Sequence, residues 1–263
     1  MADGTSVPEP GRPATRPTLQ FGTITVIGGG CYGRYYVRQL HRAFTAGAIR
    51  WSALVVVDRD AECLVAHLQE ADRPPQLEVR VAEWATYLGG YLDGAAANAD
   101  AHDIDAIVPS PLMPHLLAEW IVGRMRGRWP QREVRVLPLE REPAIPWQRG
   151  GDDGTHYLSF AEWMCPINCI EPARCPHTRG PRDWSMPVAL RRYVGEERER
   201  GRRHADPCVF HCTHRTHGVG MIDVADVLAA DASVAGHGAE GLSVLVGTVS
   251  HCHGAVQRVV VSG

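Results

Sequence analysis

The chain has 263 residues, of which 44% are hydrophobic and 22% are charged, and its formal net charge is -3. This composition predicts one large or two small globular domains and excludes a disordered chain or a disulfide-stapled miniprotein. The near-neutral charge argues against nucleic-acid binding, which requires a strongly basic surface. All 27 basic residues are Arg, so mechanisms that depend on a lysine amine are excluded.

The first segment, residues 1–20, is rich in Pro and contains no apolar run. It predicts a flexible tail and not a signal peptide or an anchor. No stretch of the chain approaches the roughly 20 apolar residues of a membrane-spanning helix. We therefore expect a cytoplasmic protein without a membrane partner. In that reducing compartment, the eight Cys residues favour metal or redox chemistry over disulfide bonds.

Residues 21–140 alternate between strand and helix patterns. The first four predicted strands are each followed by a helical pattern, the second helix carrying Leu64 and Leu68. This alternation predicts an α/β fold with a doubly wound parallel sheet. The five predicted strands are Thr23 to Ile27, Ala53 to Val57, Leu77 to Val81, Asp105 to Val108 and Val134 to Leu137.

A G-x-G-x-x-G motif connects the first predicted strand to the first predicted helix. In such a motif Gly28 permits the tight turn, Gly30 lets a pyrophosphate approach the backbone, and Gly33 lets helix and strand pack closely. Asp58 ends the second strand, where a carboxylate accepts hydrogen bonds from the ribose hydroxyls. This carboxylate favours NAD, whereas the adjacent Arg59 keeps NADP open.

On these three glycines and Asp58, residues 21–138 resemble the Rossmann-fold NAD(P)-binding superfamily. The resemblance implies dinucleotide binding but no particular reaction. The alternative is a doubly wound domain whose glycine turn only packs. Cys31 and Tyr32 within the motif are further candidate cofactor contacts, although Cys31 also fits the role of an inert small side chain.

A Pro-rich loop follows the fourth predicted strand and contains two more candidates. Ser110 is suited to touching the cofactor or to capping the next helix, and capping is favoured. His115 lies on the first turn of that helix, where it could act as an acid or base or be an ordinary helix-end histidine.

Residues 141–263 contain six of the eight Cys and nine of the thirteen His residues. We interpret them as a Cys/His-rich metal-binding extension of mixed α+β character, joined through a Pro- and Gly-rich connector at 140–154. Helices are expected at 191–203 and Met221 to Ala230. Two Val-rich strands, residues 242–249 and 256–261, are expected to pair around the turn between them.

The extension begins with a Pro-punctuated loop in which Cys165, Cys169 and Cys175 have the spacing C-x3-C-x5-C. Thiolates this close repel one another unless a cation or a cluster neutralises them. The prolines favour an iron–sulfur cluster of the four-iron type, with zinc and three structural thiols as alternatives. We select Cys212 as the fourth ligand. The alternatives are Cys208, His177, His211 or an iron position left open for substrate.

Two ligand-rich patches, residues 208–218 and 251–254, supply further histidines. His211 and His251 join His115 as candidate catalytic acids or bases. Together the motifs predict an NAD(P)-linked oxidoreductase with an iron–sulfur cluster and a small-molecule substrate or a redox partner. The alternatives are a zinc-dependent nucleotide-binding enzyme and a non-catalytic dinucleotide and metal sensor. The sequence does not determine the oligomeric state, and a homo-oligomer is one of the possibilities.

Overall fold

The computed structural model describes residues 17–161, 165–237 and 241–262. Most of the predicted N-terminal tail therefore lies outside the described residues. Within them the fold is mixed α/β, with two mixed sheets and five α-helices. None of these helices combines the length and apolarity that crossing a membrane requires.

The helices and strands follow one another along the whole described chain. The helices are α1 (Cys31–Thr45), α2 (Trp84–Ala97), α3 (Leu116–Arg128), α4 (Met186–Glu199) and α5 (Val224–Ala235). The strands are β1 (Leu19–Ile27), β2 (Ile49–Asp58), β3 (Leu77–Val81), β4 (Ala106–Val108), β5 (Glu133–Leu137), β6 (Trp147–Gly150), β7 (His156–Ser159), β8 (Cys208–His211), β9 (Thr213–Thr216), β10 (Val219–Asp223), β11 (Ser243–Val249) and β12 (His253–Ser262).

The first sheet has the strand order β3-β2-β1-β4-β10-β9. Its first four strands are parallel, and β10 and β9 extend it with antiparallel pairing. The parallel strands are rich in Val and Ile and almost fully buried at the centre, as strands covered on both faces must be.

The second sheet has the order β6-β7-β12-β11-β8, and β5 also pairs with β12. The predicted hairpin of Val-rich strands is present as β11 and β12. The two sheets do not divide at residue 140. The first sheet takes β9 and β10 from the second half of the chain, and the second sheet takes β5 from the first half.

Three helices form the core that the two sheets share. The largest buried cluster joins α2, α3 and α5 to apolar residues of both sheets. Helix α1 buries its apolar stripe, which includes Val37 and Leu40, with residues of the first sheet. Helix α4 packs with residues of the second sheet.

Three predicted elements differ from the structure. The segment with Leu64 and Leu68 forms turns and not a helix, because the Val65 N–H donates to the Gly29 carbonyl (3.0 Å) and the segment follows the glycine turn. The predicted helix at Met221 starts only at Val224, since the buried residues before it pair with β4. The fifth predicted strand, β5, joins the second sheet.

The turn after β1 and the start of α1 are packed backbone to backbone at Gly33. A Cβ atom at this position would lie 1.8 Å from the Gly28 carbonyl oxygen. Only glycine allows that approach, so the close helix–strand packing predicted for Gly33 is confirmed.

We expect Gly33→Ala to lower the free energy of unfolding by about 3 kcal/mol, because the added methyl group must displace backbone. Urea unfolding followed by circular dichroism measures this loss. Gly30→Ala is the matched control, since a Cβ there meets nothing within 4 Å, and we expect it to cost about 1 kcal/mol or less. Equal losses in both variants would contradict the packing argument.

Candidate functional site

The glycine turn leaves open space in front of the first turn of α1. Gly28 has φ +90°, a left-handed conformation that glycine adopts without strain, and α1 begins at Cys31. The first amides of a helix have no intrahelical partners and attract anions. Since a Cβ at Gly30 would meet nothing within 4 Å, a phosphate has room to approach the backbone there.

Asp58 holds this turn in place. Its Oδ2 accepts a hydrogen bond from the Gly29 N–H (2.6 Å), and its Oδ1 accepts one from the Asp60 N–H (3.0 Å). Each carboxylate oxygen has a second lone pair, so the carboxylate keeps acceptor capacity for a ribose hydroxyl. The ribose contact stays a prediction, whereas the structural role of the side chain is direct.

A cavity of about 260 Å³ lies beside the glycine turn and joins the two halves of the chain. Tyr32 and Tyr36 of α1 and Ser110, which follows β4, contribute one wall. Five thiols contribute to the remainder of the lining: Cys165, Cys169, Cys175, Cys212 and Cys252. The three Cys residues of the Pro-rich loop therefore face the same space as Tyr32 and Ser110.

Backbone hydrogen bonds fix the shape of the Cys-rich loop. The Cys169 N–H donates to the Pro166 carbonyl (2.8 Å), and the Cys175 N–H donates to the Gly180 carbonyl (2.9 Å). All eight cysteines of the chain are among the described residues, and none forms a disulfide bond. The loop therefore presents its three sulfurs as free thiols.

Cys252 lies on the turn between β11 and β12 and is only 3% exposed. The indole Nε1–H of Trp184 donates to its Sγ (3.3 Å), and the Trp184 ring stacks on Phe160. The Phe160 N–H in turn donates to the Cys252 carbonyl (3.0 Å). The sequence placed Cys252 in a ligand-rich patch but did not select it as a ligand, because nothing local connects it to the loop.

Electrostatic interactions link Cys165 to three other thiols. Burial raises the pKa of Cys165, and the neighbouring thiols of Cys169, Cys252 and Cys175 raise it further, to about 11. Burial also raises the pKa of Cys175, but hydrogen bonds with Thr178 and the charge of Arg182 outweigh burial and lower it. These four sulfurs are close enough for the ionisation of one to oppose that of another.

Cys212 has different neighbours, although it lines the same cavity. It lies at the break between β8 and β9, and a Cβ at Gly220 would lie 2.6 Å from its Sγ. Burial raises its pKa to about 12, the charge of Glu171 also raises it, and Arg215 lowers it. Its electrostatic partners are thus a carboxylate and a guanidinium and not the other thiols.

Arg182 lies in the cavity wall next to the thiols. Its charge lowers the pKa values of Cys175 and Cys252. Its Nε and Nη2 atoms are buried and have no hydrogen-bond partner in the described part of the chain. Buried donors are ordinarily satisfied, so this guanidinium indicates an acceptor that the described side chains do not provide.

Within residues 17–161, 165–237 and 241–262, no three His, Cys, Asp or Glu side chains are grouped so that they could hold a metal ion. The centre expected from Cys165, Cys169, Cys175 and Cys212 therefore stays a prediction. A four-iron cluster distributes its thiolates over several iron atoms, so its ligands surround a volume and not a point. The four-iron cluster and the zinc alternative both stay predictions.

Glu171 connects the Cys-rich loop to both sheets. Its Oε1 accepts hydrogen bonds from the N–H groups of His251 (3.0 Å) and Cys252 (3.3 Å), and its Oε2 lies 3.3 Å from Nδ1 of His214. Burial raises the pKa of Glu171, but hydrogen bonds with His214 and Ser250 and the charges of His214 and His251 lower it to about 2. The carboxylate is therefore ionised at neutral pH.

The three histidines selected from the sequence do not line this cavity. His115 precedes α3, and its Nε2 lies 3.4 Å from Oε1 of Glu119. The rings of His211 and His251 have centroids 6.4 Å apart. The described histidines that line the cavity are His214 and His253. No local sequence signal distinguished them, because their placement depends on sheet pairing.

The remaining candidates from the glycine region have separate positions. Cys31 is exposed at the start of α1, whereas Tyr32 lines the cavity. Ser110 also lines it, and its Oγ accepts a hydrogen bond from the Leu112 N–H (3.3 Å). The expectation that Ser110 caps the next helix is wrong, since α3 begins several residues later and His115 occupies its N-cap.

Comparisons with known proteins give one family. A family model, AF_1314_C, described as "Uncharacterized protein, C-terminal domain", matches residues 117–262. This range is more than half of the chain and runs from α3 to β12, so it includes the Cys-rich loop and excludes the glycine turn. No curated protein and no solved structure gives a match.

The low pKa of Glu171 predicts a specific pH dependence of stability. Because its pKa is lower in the folded state than the ordinary 4.5, the unfolded chain binds this proton more readily, and stability is lost as the pH falls from 4.5 towards 2. We expect the free energy of unfolding to fall over this range by up to about 3 kcal/mol more in the wild type than in Glu171→Gln. Urea unfolding at several pH values measures the difference.

The exposed Glu70 provides the matched control for this experiment. Glu70→Gln should keep the pH dependence of the wild type. If Glu171→Gln also kept it, Glu171 would not be the group that titrates.

Proposed function

The chain belongs to the AF_1314_C family of C-terminal domains, and we propose that it is an NAD(P)-linked oxidoreductase with an iron–sulfur cluster at Cys165, Cys169 and Cys175. The observation that carries this proposal is the common cavity. Tyr32 and Ser110, next to the glycine turn, and the three loop thiols line the same space. A small-molecule substrate in that space would lie between the glycine turn and the loop thiols.

The topology of the first sheet supports a Rossmann-like nucleotide site. The strand order reverses at β1: β2 and β3 lie on one side of it, and β4 lies on the other. The glycine turn follows the carboxyl end of β1. Ligands of doubly wound sheets bind at such switch points. Gly28, Gly30 and Gly33 would hold the pyrophosphate there, with Asp58 beside the ribose.

The chemistry of the cavity wall supports the cluster. Free thiols, prolines beside two of them and an indole N–H directed at a sulfur are typical of protein environments that stabilise iron–sulfur centres. Arg182 would balance the negative charge of a thiolate-ligated cluster.

The side chains of the cavity define how a substrate would be handled. When bound, a reduced dinucleotide supplies a hydride, which together with one proton reduces a polar double bond and leaves the oxidised dinucleotide, whereas a cluster exchanges single electrons. The Oε2 atom of Glu171 lies 3.3 Å from Nδ1 of His214, so this contact orients the imidazole at the cavity wall. His214 is therefore our candidate proton donor, and the tyrosines of α1 would limit the access of water.

We expect protein purified without oxygen to be brown, with a broad absorption near 400 nm that dithionite bleaches, and to contain iron and acid-labile sulfide. Metal analysis on the full chain tests this directly. Cys165→Ala should remove most of the iron, and Cys31→Ala, which changes an exposed thiol outside the cavity, should retain it. Colourless protein with stoichiometric zinc would contradict the cluster and support the zinc-dependent alternative. Protein without any metal would contradict both the cluster and the zinc alternative.

The nucleotide site is tested at Gly30, where a side chain would meet no protein atom. We expect Gly30→Ala to weaken NADH or NADPH binding at least tenfold, because the methyl group occupies the space that a phosphate needs, equivalent to about 1.4 kcal/mol. Isothermal titration calorimetry measures the affinity. Gly89→Ala adds a methyl group in equally open space on α2 and should leave binding unchanged. Similar affinities in all three proteins would exclude this turn as the nucleotide site.

A further inference from the structure

The Cys-rich loop contributes three thiols, whereas a four-iron cluster is ordinarily held by four. Two other thiols line the cavity, Cys212 and Cys252. The sequence selected Cys212, and the surroundings of the two sulfurs now allow a choice between them.

Cys252 shares its surroundings with the loop. Cys252 lines the same cavity as Cys165, Cys169 and Cys175. The backbone also ties Cys252 to the loop, since its N–H donates to Glu171 Oε1 (3.3 Å) four residues before Cys175. Cys252 thus approaches the three loop thiols from the opposite element, the turn between β11 and β12.

The Cys252 sulfur already accepts the kind of hydrogen bond that stabilises a ligating thiolate. The indole Nε1–H of Trp184 lies 3.3 Å from its Sγ, and stacking on Phe160 holds the indole ring in place. Hydrogen bonds to ligand sulfurs tune the reduction potential of iron–sulfur clusters. Cys252 is buried, so this bond is shielded from water.

Cys212 lacks these features. Its backbone N–H donates to the Val249 carbonyl of β11 (2.7 Å), within the second sheet. Its sulfur packs against Gly220 of β10. These contacts describe a structural thiol at the junction of the two sheets.

Arg182 provides a second, independent observation. Its buried Nε and Nη2 atoms have no acceptor among the described residues, and its charge acts on Cys175 and Cys252. A cation beside thiolate ligands offsets their negative charge, because the charge of four thiolates exceeds that of the iron core they hold.

We infer that Cys252 is the fourth thiolate ligand of the cluster and that Cys212 is not a ligand. This inference rests on the proposed function. With Cys165, Cys169, Cys175 and Cys252 as ligands, every iron of the cluster has a protein ligand. The cluster would then have no open iron position at which a substrate could bind.

The test compares Cys252→Ala, Cys252→Ser and Cys212→Ala with the wild type, all purified as full chains without oxygen. Iron, acid-labile sulfide and the electron paramagnetic resonance spectrum of the dithionite-reduced protein are measured for each. We expect Cys212→Ala to match the wild type in all three. Both Cys252 variants should lose at least a quarter of the iron and change the spectrum, since one iron loses its ligand.

Trp184→Phe keeps the test decisive even where a Cys252 variant does not fold. Phe preserves the stacking on Phe160 but removes the N–H, so we expect wild-type iron content with a lower reduction potential. An unchanged potential together with unfolded Cys252 variants would overturn the inference. Loss of iron in Cys212→Ala with retention in the Cys252 variants would also overturn it, and absence of iron from the wild type would instead refute the proposed function.

Discussion

The arrangement of the cavity depends on one buried carboxylate. Glu171 lies on the Cys-rich loop and accepts hydrogen bonds from the turn between β11 and β12, which belongs to the second sheet. It also pairs with His214 of β9, which belongs to the first sheet. This one side chain therefore connects the loop that carries the thiols to both sheets. The positive φ of Glu171 (51°) is a local cost that these contacts offset.

The exchange of strands between the sheets explains why the cavity forms where it does. The chain leaves the second sheet at the end of β8 and enters the first sheet at β9, with only Cys212 between them. The first turn of α1 and the residues after β4 thereby line the same cavity as the turn between β11 and β12. The one-residue connection places Cys212 in the wall of this cavity, at the junction of the two sheets.

The sequence predicted the elements whose signals are local. The glycine turn, the parallel strands from β1 to β4 and the hairpin of β11 and β12 follow from short apolar runs and turn residues, and the structure contains them. The sequence-based prediction was wrong or incomplete where the pairing partners are distant in the chain. Strand β5 has the pattern of a buried strand in either sheet, and only its register with β12 assigns it to the second one. The same limit hid the pairing of Glu171 with His214, since 43 residues separate them in the chain and no spacing rule relates them.

The two charged side chains of the cavity wall are satisfied unequally, and this difference indicates which ligand the cavity accommodates. Glu171 accepts hydrogen bonds from two backbone N–H groups and lies 3.3 Å from Nδ1 of His214, so the protein itself provides contacts for the anion of the wall. Arg182 has buried donors without acceptors in the part of the chain that the structure describes. Buried guanidinium N–H groups without acceptors, such as the Nε and Nη2 groups of Arg182, are costly unless a guest supplies acceptors. The charge balance of the wall therefore favours an anionic assembly, such as thiolates around a metal–sulfide core, on the side of Arg182.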